Sequence, residues 1–103
     1  MSHDRITEAL ELWRRFPEND LSRFNLAQAY VDANDHASAV EHLRPLCEKK
    51  ADWMVAHIQL GKSLIALGRS AEARPILGHA LQLAIAQHHD GPRDELTELL
   101  GTL

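Results

Sequence analysis

Laid on itself at an offset of 34 residues, the sequence aligns Leu26 with Leu60, Ala27 with Gly61, Tyr30 with Leu64, Asn34 with Gly68, Ala39 with Ala73 and Leu43 with Leu77. Size and polarity recur here more than identity does. A period of this length carrying helix-spaced apolar residues marks stacked helix pairs, none of which can bury its apolar face alone. The fold that follows is all-α, because each pair is completed only by its neighbour.

Each aligned feature has a physical task. Leu26 with Tyr30, and Leu60 with Leu64, stand four residues apart on one face of a first helix. Ala27 and Gly61 are small enough to let a second, antiparallel helix approach. Asn34 and Gly68 tolerate positive φ, so each is expected to end its first helix in a left-handed cap before the chain reverses. Ser70 is then the expected N-cap of the next helix, with Glu72 in its first turn. Upstream, Pro17 stops a preceding helix and Asn19 or Asp20 caps the one that follows.

On these residues, Leu26-Ala27-Gln28-Ala29-Tyr30, Leu60-Gly61-Lys62-Ser63-Leu64 and the two alanines Ala39 and Ala73, the segment from Pro17 to Ile85 resembles two tetratricopeptide repeats. The resemblance implies antiparallel helix pairs stacked as a short right-handed α-solenoid. It also implies binding of another polypeptide on the concave side, which the first helix of each pair lines. Arg23 and His57 stand where the family has a large aromatic or aliphatic residue. Leu46 replaces a customary small one, and Ala51 and Ile85 replace a closing proline. Trp53, one turn before His57, is expected to fill the gap beside it.

The ends extend the pattern. Ala9, Leu12 and Trp13 precede Leu43, Leu46 and Cys47 by 34 residues, while Leu96, Leu100 and Leu103 follow Leu60, Leu64 and Leu67 by 36. The chain therefore reads as one domain of six helices over residues 1–103: a capping helix at 4–16, a first pair at 20–50, a second at 53–89 and a closing helix at 92–102. A two-residue insertion falls in His88-His89-Asp90-Gly91-Pro92, where Gly91 and Pro92 are expected to break one helix and begin another. Pro45 and Pro75 lie inside the proposed second helices, where each removes a backbone donor and predicts a kink or a late start.

Composition narrows the function. Fifteen acids against eleven bases give a net charge of −4, and the longest basic runs are the pairs Arg14-Arg15 and Lys49-Lys50, so no phosphate-tracking stripe for nucleic acid is expected. No segment approaches the ~20 apolar residues of a membrane span, the start of the chain lacks a signal-peptide core, and the single cysteine, Cys47, falls in an apolar helical strip. A cytoplasmic protein with an inert thiol follows. The seven histidines include no His-Glu-x-x-His, and neither His36 with His42 nor His79 with His88 has ligand spacing. No metal, cofactor or catalytic residue is expected, and the glycines never cluster into a phosphate loop.

The candidate surface is the row left free on the first helices: Leu21, Phe24, Gln28 and Val31, then Val55, Ile58, Lys62 and Ile65, with Asp94 and Glu98 continuing it. This mainly apolar row suits an amphipathic helix or an extended apolar peptide of a partner protein. The plainer reading of Phe24 and Ile58 is packing between neighbouring repeats. Relatives that clamp a C-terminal carboxylate use basic and polar groups where this chain has Phe24 and Ile58, so that specialisation is not expected. The alternative to peptide binding is a structural, self-assembling homo-oligomer, with a homodimer contact through terminal faces carrying Trp13, Leu96, Leu99 and Leu103.

Overall fold

In the computed structural model, residues 2–103 are described, with side chains from Arg5 onward, so the start of the chain, where no signal-peptide core is read, lies partly outside the described residues. Six helices and no strand occur among the described residues: α1 (Ser2–Arg15), α2 (Asp20–Asp32), α3 (His36–Lys49), α4 (Met54–Ala66), α5 (Ser70–Ala86) and α6 (Asp90–Gly101). Each helix packs against the next in sequence, giving two antiparallel pairs, α2 with α3 and α4 with α5, flanked by α1 and α6.

The periodic residues form the core. Leu26, Leu43, Leu60, Leu64 and Leu77 are each at most 2% exposed, as is Leu96 of α6. Every such leucine contributes about 1.5–3 kcal/mol of transfer free energy, so the apolar stripe rather than helix propensity holds the stack together. Small residues set the helix spacing. Ala27, Ala39 and Ala73 are fully buried, and a Cβ on Gly61 would overlap the side chain of Leu77, so α5 approaches α4 over a residue with no side chain.

Three helices end in the same way. Asn34 at φ 63°, Gly68 at φ 75° and His88 at φ 58° adopt the left-handed conformation. The following residue in each case bonds back across the last turn, Asp35 to Tyr30 at 2.8 Å, Arg69 to Leu64 at 2.8 Å and His89 to Ala84 at 2.9 Å. Asn34 and Gly68 are the residues the sequence points to. His88 corrects the expected break at Gly91 and Pro92: α5 runs on to Ala86, and Gly91 and Pro92 lie inside the first turn of α6. The two inserted residues are absorbed by this longer second helix, 17 residues against 14 in α3.

Other local expectations are also corrected. Asn19 caps α2 by accepting from the Ser22 backbone N–H at 3.1 Å, but Ser70 is the first helical residue of α5, whose N-cap is Arg69 without a side-chain bond. The expected late starts do not occur, since α3 begins at His36 and α5 at Ser70 and both pass through their prolines. Pro45 costs a backbone hydrogen bond, offset by the burial of Leu43, Leu46 and Cys47 around it.

Trp53 packs half-buried against the core cluster. It precedes α4 as its N-cap, and its ring lies 4.9 Å from Phe24. The neighbour of His57 is His79 of α5, with ring centroids 4.8 Å apart. His57 donates through Nδ1 to the Trp53 carbonyl at 2.7 Å and His79 through Nε2 to the Ala51 carbonyl at 2.5 Å, so two imidazoles satisfy backbone acceptors in the α3–α4 turn.

Candidate functional site: the cleft between α4 and α6

The residues of the predicted row fall in different surroundings. Leu21, 64% exposed, lines a shallow cleft with Lys50, Asp52 and Trp53 at the turn before α4. Phe24 leans on Trp53, and Val31 and Ile58 pack half-buried against the core cluster. Gln28 is half-buried on α2, and Val55 is exposed in the first turn of α4.

Three of the predicted residues do converge. Lys62 and Ile65 of α4 face Glu98 of α6 across an open cleft of about 420 Å³, completed by Glu95, Leu99 and Thr102. Ile65 and Leu99 pack against the core cluster and form an apolar floor. Lys62 Nζ bridges the cleft to Glu95 at 2.5 Å, both groups being largely exposed. Asp94 is instead paired with Arg93 at 3.0 Å. Glu95 and Thr102 were not among the expected residues and Leu99 was expected at a terminal face, yet with Glu98 they form one face of α6 at spacings of three and four residues. The helical spacing of Glu95, Leu99 and Thr102 was the available signal.

Of the residues named for self-association, Leu96 and Trp13 make contacts within the chain, while Leu99 lines the cleft. Leu96 is 1% exposed in the core. Trp13 meets the edge of His42 at 4.9 Å and lies 5.1 Å below the Arg23 guanidinium. Arg23 Nε also donates to His42 Nδ1 at 3.2 Å, and Tyr30 stacks on the same imidazole. The polar Arg23 at a position of large apolar residues is thereby satisfied, joining α1, α2 and α3. Burial first, and the Arg23 charge second, hold the His42 pKa below its ordinary value.

Cys47 is buried and burial pushes its thiol up to about 12, so no thiolate nucleophile forms at neutral pH. Among the described residues, no group of three or more His, Cys, Asp or Glu side chains is placed to hold a metal ion. No described helix is long and apolar enough to cross a membrane.

Paired, capped helices stacked on a 34-residue period define a helical repeat protein. The sequence pattern of the tetratricopeptide repeat matches residues 21–45 and 54–79. A TPR repeat-containing protein of Pseudomonas aeruginosa is 33% identical over 86 residues, covering 84% of this chain and 82% of that protein. The chain belongs to the tetratricopeptide repeat family, whose repeats are generally protein-interaction modules on non-catalytic scaffolds. The solution structure of a Bordetella parapertussis protein superposes with a TM-score of 0.78 at 26% identity, covering 94% of this chain and 84% of that one. A tetratricopeptide repeat domain protein from Salinibacter ruber gives a TM-score of 0.72 at 22% identity, with 84% and 87% covered, and shows the shared fold.

Proposed function

We propose that this chain is a non-catalytic binding module that takes a peptide or helix of a partner protein along the face of its first helices, with the α4–α6 cleft as the principal contact. The observation that carries this reading is the convergence of Lys62, Ile65 and Glu98 with Leu99 on one open cleft with an apolar floor. Concave, mainly apolar surfaces with a few placed polar groups are the usual form of ligand sites. The remaining residues of the row, Leu21, Phe24, Gln28, Val31, Val55 and Ile58, extend the contact toward α2. Neither nucleic acid nor a membrane enters this reading, and the protein is assigned to the cytoplasm.

The test is affinity capture from the source cell with wild type and a Gln28→Ala, Lys62→Glu double variant, both first shown to be folded by circular dichroism. Loss of a specific partner in the variant supports the groove. A partner retained equally by both proteins moves the contact to the outer helices α3 and α5. Recovery of only the protein itself favours self-assembly instead.

A further inference from the structure

Resting on that reading, we infer that the occupant of the α4–α6 cleft is a basic, apolar-faced peptide segment, in which Lys or Arg stands within one helical turn of Leu, Ile or Phe. The charges around the cleft carry this. Lys62, its single base, is already paired with Glu95, so its ammonium is compensated from within. Glu98 makes no hydrogen bond or ion pair among the described residues and stays exposed on the rim.

The rest of α6 strengthens the bias. Asp90, Asp94, Glu95 and Glu98 share this helix with one base, Arg93, and that guanidinium is taken up by Asp90 at 3.4 Å and Asp94 at 3.0 Å. The α2 part of the row, Leu21, Phe24, Gln28 and Val31, adds no charge to reverse the sign. An acidic ligand would have to break the Lys62–Glu95 bridge and still meet Glu98. A basic one meets Glu98 directly and leaves the bridge intact. Because the carboxylate is exposed, its pairing selects and orients the ligand more than it tightens it; the apolar side chains settling on Ile65 and Leu99 supply the affinity.

Peptide display against the full chain, followed by fluorescence anisotropy on the selected sequences, tests the inference. Glu98→Arg and Thr102→Trp serve as variants, because both positions are exposed, and circular dichroism first checks that each variant is folded. The first reverses the rim charge and the second fills the cleft. Selected peptides should combine Lys or Arg with Leu, Ile or Phe, bind less tightly as salt is added, and weaken about five- to tenfold with Glu98→Arg. They should lose most binding with Thr102→Trp. Selection of acidic or uncharged peptides blocked by Thr102→Trp would overturn the basic chemistry while leaving the groove reading in place. Failure to select any peptide, or binding indifferent to Thr102→Trp, would overturn the groove reading and this inference together.

Discussion

The two repeats reach the same fold by different means. In the first, both helices are capped by side chains: Asn19 accepts from the Ser22 N–H, and Asp35 accepts from the Ser38 N–H at 3.2 Å and its hydroxyl at 2.7 Å. In the second, neither Trp53 nor Arg69 makes a cap bond. There the gain comes from contact, since Gly61 lets Leu77 approach α4 where the first repeat has Ala27. The first repeat is further tied to α1 through Arg23, His42 and Trp13, whereas the second leaves one side of α4 open opposite α6. Stability in this stack is distributed unevenly, and the open cleft falls beside the repeat that depends on close packing.

The largest test of this contrast is Leu77→Ala, expected to cost about 2–5 kcal/mol in denaturant unfolding as a large-to-small change at a fully buried site. Gly61→Ala alone should cost about 1–2 kcal/mol, overpacking outweighing the better helix propensity of alanine. Combined, the two should cost less than their sum, because the shortened side chain makes room for the new Cβ. Strict additivity would show that Gly61 is not there to admit Leu77.

Removing a cap should act on the first repeat only. Asn19→Ala and Asp35→Ala are each expected to lose about 1 kcal/mol. In the second repeat Arg69→Ser should gain about 0.5 kcal/mol in thermal melts, because a hydroxyl there, with Glu72 three residues on, forms a reciprocal pair of capping bonds. A loss instead would mean that the Arg69–Glu72 ion pair at 2.7 Å matters more than its exposure suggests.

The mildest effect is on pH. With its folded pKa below the unfolded value of 6.5, His42 stabilises the fold fully above that value, and the contribution is lost as pH falls through it toward the folded pKa. The groups facing it are Arg23, Tyr30 and Trp13, with Glu41 acting weakly in the opposite direction. Wild type should therefore lose more stability between pH 8 and pH 5 than His42→Gln, which has no charge to gain. Equal losses would remove His42 from the account.

The repeat was legible because its residues carry packing that any stacked pair needs. Leu26, Leu60, Ala39 and Ala73 are buried, and Asn34 and Gly68 turn the chain with positive φ. His88 was not legible, since a histidine in the left-handed region leaves no composition signal and is imposed by the bonds closing α5. The cap at Arg69 could have been found by carrying Asp35 forward by the same period, but serine chemistry pointed one residue too far. At the cleft, helical phase placed Lys62, Ile65 and Glu98, while Glu95 and Thr102, being polar, add nothing to an apolar stripe and Leu99 reads equally as terminal packing, although all three share a face of α6 with Glu98.

The most direct test of the central claim is a two-dimensional amide NMR titration of the isotope-labelled chain with a peptide recovered by display. The account predicts that the largest shift changes fall on Lys62, Ile65, Glu95, Glu98, Leu99 and Thr102, with smaller changes along Leu21, Phe24, Gln28 and Val31 of α2. Changes concentrated on the outer helices α3 and α5, or on the turn that carries Lys50 and Trp53, would contradict it.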